Sequence, residues 1–200
     1  MYNKLDLDFY LRNDTIQISK DLLGKFLFTK SKGIITGGMI VETEAYTGIT
    51  DRASHAYNNK KTTRTKTMYK NGGIAYIYLC YGMHHLFNIV TNQIEHPQAI
   101  LIRAIEPTKG LNKIISRRRI KSNQYNLTNG PAKLTKALKI DLNDNNLCLI
   151  NSRIWLEDRK ILIRNSNIIK TTRIGIDYAG EYTDKPWRFY IKDNPWVSVK

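Results

Sequence analysis

Three polar residues at every second position, Glu42, Glu44 and Tyr46, are the first candidates for chemistry in this chain. They belong to the segment VETEAY, whose β-branched and aromatic residues favour a strand, and alternate side chains of a strand share one face. Two carboxylates buried side by side on that face would repel each other. Either this face contacts water, as on many edge strands, or one carboxylate has a cationic partner.

Arg103 is the candidate cation, because it interrupts the otherwise apolar segment 99–105. Such a segment is typical of a buried strand, and a buried guanidinium needs a carboxylate or several carbonyl groups. The carboxylates that could pair with it are Glu42, Glu44 and Glu106. A satisfied polar group inside an ordinary core would explain Arg103 equally well.

Further polar and aromatic residues near these segments indicate a shared pocket. Asn88 stands in the apolar segment 86–90, where a buried amide must be hydrogen-bonded. The segment YIYLCYGM carries Tyr78 and, beside a glycine that predicts a turn, Tyr81. A tyrosine near basic loops can stack on an unpaired base or enter a duplex as a wedge. His55, in a loop, could orient a ligand or carry a proton, although a single loop histidine usually does neither.

The charge distribution points to a polyanionic partner. The 200 residues carry a formal net charge of +15, and segment 52–140, with 16 basic and two acidic residues, holds +14 of it. A basic segment of this size favours contact with nucleic acid over a merely hydrated surface. We find no apolar run long enough to span a bilayer and no secretory signal, which predicts a cytoplasmic or nucleoid-associated protein. Cys80 and Cys148, without CxxC spacing, are expected to be reduced thiols.

The periodicity of apolar residues predicts one mixed domain of helices and strands over residues 1–200. A long exposed loop is expected at 48–67, and loops of that length are often functional. The predicted helices are 9–23, 107–120 and 131–140. The predicted strands are 26–29, 38–46, 74–80, 86–90, 99–105, 154–156, 161–163, 171–176 and 188–191.

Taken together, these blocks resemble the alkyladenine (3-methyladenine) DNA glycosylase family of base-excision repair enzymes. They follow the family's order along the chain and are specific because they occur together. The blocks are LLGK (22–25), VETEAY (41–46), YIY (76–78), YGM (81–83), NI (88–89), LIRAIEP (101–107), NGPAKL (129–134), YAGE (178–181), KPWRFY (185–190) and PWVSV (195–199).

The resemblance implies an α+β fold, a single domain with a curved antiparallel β-sheet and surrounding helices. It implies a monofunctional hydrolase that flips alkylated or deaminated purines out of double-stranded DNA and cleaves the N-glycosidic bond, without metal or cofactor and as a monomer. By position, Glu44 would activate the water and Arg103 would help to position it.

The remaining site residues are also carried over from the resemblance. Tyr46, His55 and Tyr78 would line the base pocket, and the amide of Asn88 would oppose the amino group of guanine. Tyr81 would fill the vacated place in the base stack, with Met83 beside it.

Two alternatives remain open at this point. A basic nucleic-acid-binding module without catalysis would account for the charge but not for the polar residues in apolar strands. A bifunctional glycosylase/lyase would need a lysine or terminal amine in the pocket, and the sequence places no lysine there.

Overall fold

The computed structural model describes residues 3–121 and 124–200 and consists of an open antiparallel sheet with helices around it. Within these ranges, the strands are β1 (Asn3–Lys4), β2 (Phe26–Ser31), β3 (Ile34–Tyr46), β4 (Ala75–Cys80), β5 (His84–Thr91), β6 (Gln98–Lys109), β7 (Ile154–Asp158), β8 (Ile168–Thr171) and β9 (Arg188–Ile191). The helices are α1 (Leu7–Leu11), α2 (Thr15–Asp21), α3 (Leu111–Arg118) and α4 (Pro131–Leu138). The α+β prediction is confirmed.

Strand β3 is the centre of the sheet and carries both candidate carboxylates. The strand order is β1-β7-β2-β3-β6-β5-β4, and β6 pairs with β3 along most of its length. On the other side, β2 pairs with the first half of β3 and β9 with the second half, while β8 pairs with β9. Glu42 and Glu44 therefore lie in the middle of a sheet and not on an edge strand, which decides between the two interpretations of this face.

Two β-bulges between β3 and β6 lie at the candidate site. Ile40 pairs with Ile105, Glu42 with Ala104 and Thr43 with Ile102. Val41 is thus an extra residue in β3, and Arg103 is an extra residue in β6. Because a bulge bends the strand and changes the direction of a side chain, it accounts for a guanidinium turned toward the carboxylates of the neighbouring strand.

The predicted helix 9–23 is wrong in one respect, since the structure divides it into α1 and α2. Asp6 caps α1 by accepting a hydrogen bond from Phe9 N (3.0 Å), and Asp14 caps α2 by accepting one from Gln17 N (2.8 Å). A second aspartate at a cap position begins a new helix, because its side chain satisfies an otherwise free N–H group.

The predicted helix 107–120 begins later than expected, because β6 continues through Pro107 to Lys109. Gly38 of β3 permits this pairing, since a Cβ atom there would collide with the carbonyl group of Glu106, while the adjacent Gly37 lets β2 approach at Leu27 and Phe28. Gly110, with φ of 72°, then reverses the chain into α3. Helix α4 begins at Pro131 as predicted and ends before Lys139, two residues early.

Two predicted strands are absent from the described residues. Segment 161–163 forms no ladder, and Leu162 is largely exposed. The strand expected at 171–176 lies earlier in the chain, as β8, because Ile174 donates its N–H to the side chain of Glu44 in place of a neighbouring strand. The predicted loop 48–67 is irregular apart from short 3-10 turns, but it is not fully exposed, since Asp51 and Ala56 are completely buried.

The hydrophobic core lies between the sheet and the helices. Ile18 of α2 and Leu134 and Leu138 of α4 are completely buried in it, together with Ile40 of β3 and Ile102 of β6. Burial of apolar side chains is the main driving force for folding. The middle of β3 is thereby fixed on both sides, which places Glu42 and Glu44 on a rigid support.

Candidate active site

Glu44 is completely buried, and its carboxylate is held at both oxygens. Oε1 accepts a hydrogen bond from Ile174 N at 2.8 Å, and Oε2 accepts one from the hydroxyl of Tyr46 at 3.0 Å. Nη1 of Arg103 lies 3.2 Å from Oε1. A carboxylate has about four lone-pair directions, so these contacts leave it with acceptor capacity for a water molecule.

Arg103 joins both candidate carboxylates, and the predicted pairing is confirmed for two of its three candidates. Nε donates to Glu42 Oε1 at 3.0 Å, in addition to the contact with Glu44. Burial lowers the pKa of Arg103, but the Glu44 and Glu42 carboxylates outweigh it and raise that pKa above its ordinary value. Glu106 is not a partner here, since it accepts a hydrogen bond from Asn194.

Glu42 is also completely buried and is held from the C-terminal segment. Its oxygens accept hydrogen bonds from Ser198 N at 2.7 Å and Ser198 Oγ at 2.8 Å. Nη1 of Arg188 donates to Oε1 at 2.7 Å. The Glu42 carboxylate thus accepts four hydrogen bonds from the described residues, two of them from arginines, and these satisfy its acceptor capacity. Its contacts fix Arg103 in place.

A pocket of about 590 Å³ lies beside the Glu44 site. Glu44 itself does not line it, but Tyr46, Arg103 and Ile174, which contact the carboxylate, belong to its wall. This volume falls within the range of about 300–1,000 Å³ that is typical of small-molecule sites. All four residues expected from the sequence to line the base pocket lie in the wall: Tyr46, His55, Tyr78 and Asn88. The rest of the wall includes Ala53, Met68, Leu86, Leu101 and Ile176, so much of it is apolar.

One side of the pocket is an aromatic cluster of His55, Tyr76 and Tyr78. The rings of His55 and Tyr78 meet edge to face with centroids 4.6 Å apart, and those of Tyr76 and Tyr78 are 5.6 Å apart. Nδ1 of His55 lies 2.8 Å from the hydroxyl of Tyr76. Tyr76 is therefore buried, as core packing predicts, and also supports the pocket.

Arg64 determines the tautomer of His55. Its guanidinium lies 4.7 Å from the centre of the Tyr78 ring, and Nη2 lies 3.3 Å from His55 Nε2. Arginine only donates, so Nε2 accepts and the proton of the neutral ring is on Nδ1, where it is donated to Tyr76. Burial, together with the charges of Arg64 and Lys60, lowers the pKa of His55 to about 4. The imidazole is therefore neutral at physiological pH.

Asn88 is buried and lines the pocket next to the aromatic cluster, since it pairs with Tyr76 on the neighbouring strand. Its Nδ2 donates to the backbone carbonyl of Tyr76 at 3.1 Å, so the amide is held in one orientation. This contact satisfies the requirement, expected from the sequence, that a buried amide be hydrogen-bonded.

The turn between β4 and β5 projects Tyr81 and Met83 into solvent at the pocket mouth. Tyr81 is 88% exposed and Met83 69% exposed, and Tyr81 is part of the pocket wall. Tyr81 and Gly82 both have positive φ, 51° and 68°, as in the tight turns of β-hairpins. Positive φ is unfavourable for tyrosine, and strain of this kind is concentrated at functional sites.

The basic residues of segment 52–140 are only partly free to meet a polyanion. Arg103 is used inside the site, and Arg117 donates to Thr36 and to the carbonyl of Ala137. Lys61 pairs with Glu95 on the surface. Lys133, at the start of α4, lines the pocket and donates to Asn129 at 2.9 Å. The expectation that no lysine is placed in the pocket is therefore wrong.

Neither a metal site nor a membrane span is found in the part of the chain that the structure describes. In residues 3–121 and 124–200, no three histidine, cysteine, aspartate or glutamate side chains are grouped to hold a metal ion. In the same ranges, no helix has the length and apolar character needed to cross a membrane. Cys80 and Cys148 are free, as predicted.

Comparison of the sequence with known proteins shows the family to which this chain belongs. Residues 8–195 match the family model of methylpurine-DNA glycosylase. The chain belongs to the methylpurine-DNA glycosylase family.

Similar relatives of this glycosylase carry the provisional name 3-methyladenine DNA glycosylase. The protein of Natranaerobius thermophilus is 47% identical over 98% of this chain and 99% of the relative. That of Chlamydia felis is 49% identical over 92% of this chain and 93% of the relative, and that of Clostridium botulinum 46% identical over 98% and 99%. The chain is thus a DNA repair glycosylase, a hydrolase of N-glycosyl bonds whose substrate is DNA.

Several residues that shape this glycosylase's pocket were missed by the sequence analysis. Arg64 was counted only as part of the basic segment, Lys133 as part of that segment and of a matching block, and Tyr178, 70% exposed at the pocket mouth, only as part of a matching block. Asp51 and Arg173 form a completely buried ion pair beside the site. An arginine in the apolar context of segment 171–176 was a signal of the same kind as Arg103.

Proposed function

We propose that this protein excises alkylated or deaminated purines from double-stranded DNA and leaves an abasic site, with Glu44 as the group that activates water. The observation that carries the proposal is a completely buried carboxylate whose two oxygens are held by Tyr46 and Ile174, residues that also line a pocket with aromatic walls. A base reaches such a pocket only when it is flipped out of the duplex, at a cost of a few kcal/mol.

Tyr81 is proposed to offset that cost. Its exposed ring at the tip of the β4–β5 turn, beside the pocket mouth, is placed to enter the gap that the flipped base leaves, with Met83 on the same turn. Stacking of a base on an aromatic ring is worth about 1–3 kcal/mol. Within the pocket, Tyr46, His55 and Tyr78 are proposed to contact the flipped base, and the amide of Asn88 to oppose the amino group of guanine.

Hydrolysis then requires an activated water and a leaving base. Glu44 accepts a proton from the water and stabilises positive charge on the sugar, while Arg103 contacts Glu44 and fixes its direction. An alkylated purine that already carries positive charge leaves without protonation. A neutral lesion such as hypoxanthine needs a proton donor, and the pKa of His55, lowered to about 4, makes that residue a poor donor at neutral pH. We therefore expect cationic purines to be released faster than neutral ones.

The enzyme is proposed to act as a monomer, as one domain over residues 1–200, and without lyase activity or a cofactor. The reaction needs one carboxylate and one water, in contrast to the two carboxylates of most glycosidases. The test is incubation with methylated duplex DNA followed by alkaline cleavage of abasic sites. The parent protein is expected to produce strand breaks after alkali only. A protein that binds the duplex but yields no alkali-sensitive sites would instead be a DNA-binding module.

A further inference from the structure

A second buried ion pair, between Arg173 and Asp51, lies next to the Glu44–Arg103 pair. Nη1 and Nη2 of Arg173 donate to Asp51 Oδ2 at 2.6 Å and to Oδ1 at 2.9 Å, and both side chains are completely buried. Replacement of a buried ion pair by apolar residues is often neutral or stabilising, so stability alone is a weak explanation for this one. The contacts of Arg173 and Asp51 with neighbouring residues indicate a further role for the pair.

Arg173 contacts both the ring of Tyr46 and the backbone of the preceding residue. The guanidinium carbon lies 4.8 Å from the centre of the Tyr46 ring, and Nη1 donates to the carbonyl of the preceding residue, Ala45, at 3.0 Å. The ring of Trp187 lies 5.0 Å from the same guanidinium. Tyr46 therefore rests against a fixed cation while its hydroxyl donates to Glu44 Oε2.

On the backbone, Arg173 directly precedes Ile174, whose N–H donates to Glu44 Oε1 at 2.8 Å. Residues 172–176 have no ladder partner, and side chains hold this segment to the sheet. Nε of Arg188 donates to the carbonyl of Thr172 at 3.0 Å, and Nη1 of Arg173 donates to the carbonyl of Ala45 at 3.0 Å. On the other side of the pair, Asp51 accepts from Thr47 N at 3.1 Å and Ala53 N at 3.0 Å, which fixes the loop that leads to His55.

We propose that Arg173 and Asp51 are positioning residues for the glycosylase reaction. Through Tyr46 and Ile174 they set two of the three groups among the described residues that contact the Glu44 carboxylate, the third being Arg103, and they join the base-pocket loop to the same unit. This inference rests on the proposed role of Glu44 as the water-activating group. Groups that hold a metal ligand in place are typically worth about 10–100-fold in activity, and a misplacement of about 1 Å in any active site can cost about 100-fold.

The test is a kinetic comparison of Arg173→Lys with Arg153→Lys. Arg153 pairs with Asp144 through two contacts of 2.8 Å, and the pair is partly buried and away from the pocket, so it is a matched control for the loss of a bidentate ion pair. Single-turnover release of base from methylated duplex DNA, binding to a duplex with a tetrahydrofuran abasic analogue and thermal unfolding are measured for each. Arg173→Lys is expected to slow release by about 10–100-fold while binding changes less than about threefold.

A pH–rate profile separates positioning from a general loss of stability. Loss of donors to a carboxylate favours its protonated form, so the acid limb of the profile is expected to move to higher pH in Arg173→Lys and to stay in place in Arg153→Lys. Equal slowing in the two variants, or an unchanged rate and profile in Arg173→Lys, would contradict the inference.

Asp51→Asn provides a second variant, because the amide retains one acceptor oxygen and the size of the side chain. Asp51→Asn is also expected to release base more slowly than the parent when both are measured below the melting temperature of the variant. A parental rate in this folded variant would also contradict the inference. A parent protein that releases no base overturns the proposed function, and this inference with it. If the parent protein releases base and both variants, Arg173→Lys and Asp51→Asn, release it at the parental rate, the positioning role is overturned and the proposed function stands.

Discussion

Nη1 of Arg103 lies 3.2 Å from Oε1 of Glu44, and both side chains are almost completely buried. Neighbouring carboxylates raise the pKa of Arg103, despite the opposing effect of burial, so the guanidinium stays protonated throughout the working pH range. It can therefore hold an anion in place but cannot act as an acid. The pair is suited to keeping Glu44 as a carboxylate that accepts a proton.

Glu44→Gln is expected to abolish most base release. An amide of the same shape cannot take a proton from water, and loss of such a group typically costs at least about 10²-fold in rate. Single-turnover release of 3-methyladenine from methylated duplex DNA measures it. Glu106→Gln is the matched control, because that carboxylate accepts a hydrogen bond from Asn194 and belongs to neither ion pair of Arg103. Parental activity in Glu44→Gln would refute the assignment.

Tyr81→Ala is expected to slow excision from duplex DNA by about 5–150-fold, the equivalent of 1–3 kcal/mol of lost stacking. Because the side chain is 88% exposed, unfolding stability is expected to change by less than about 0.5 kcal/mol. Tyr81→Phe, which keeps the ring, should retain the parental rate. If Tyr81→Ala is as fast as the parent on a paired lesion, the ring does not stabilise the flipped state.

The protonation of His55 gives a pH prediction for stability. Its pKa is lowered to about 4 in the folded protein, so between about pH 6.5 and 4 the unfolded chain binds the additional proton. Its contribution to the free energy of unfolding is therefore complete above pH 6.5 and is lost as the pH falls toward 4. An NMR titration of the imidazole, assigned with a His55→Gln variant, should show the neutral Nδ1–H ring down to about pH 5. A midpoint near 6.5 would contradict the network with Arg64 and Tyr76.

Binding to duplex DNA is expected to weaken steeply with salt, because phosphate neutralisation releases counterions. Lys133→Met should reduce the slope of log K against log salt by about one, since Lys133 lies at the pocket and within the basic segment. Lys160→Met is the control, because Lys160 is exposed, pairs with Asp158 and lies outside that segment. An affinity independent of salt would show that the basic segment does not contact phosphates.

Borohydride is expected to trap no covalent complex between the parent protein and damaged DNA. A lyase would form an imine between an amine and the abasic sugar, and Lys133 is a pocket lysine that makes this a stringent test. An adduct that forms with the parent and disappears in Lys133→Met would replace the hydrolytic mechanism with a lyase mechanism.

The sequence predicted the ion pairs of the site better than its geometry. A polar residue in an apolar strand must be paired, and this argument gave Glu42, Glu44 and Glu106 as candidate partners of Arg103, of which the first two are its partners. The direction of the Arg103 side chain depends on a β-bulge, and no residue pattern in the sequence predicts that bulge. The pairing of the end of β6 depends on Gly38, which lets the backbone at Glu106 approach β3. Strand 171–176 was wrong because the N–H of Ile174 bonds to a side chain 130 positions away.

The ion pairs of the site also bear on how the protein folds. Arg103 and Glu42 are 61 positions apart, Arg173 and Asp51 are 122 apart, and Arg188 and Glu42 are 146 apart. Contacts between distant parts of a chain are slow to form, because closing long loops costs entropy before the contact repays it. Recovery of base release after dilution from denaturant should therefore coincide with the slowest phase of refolding, since the pocket cannot assemble before the whole sheet does.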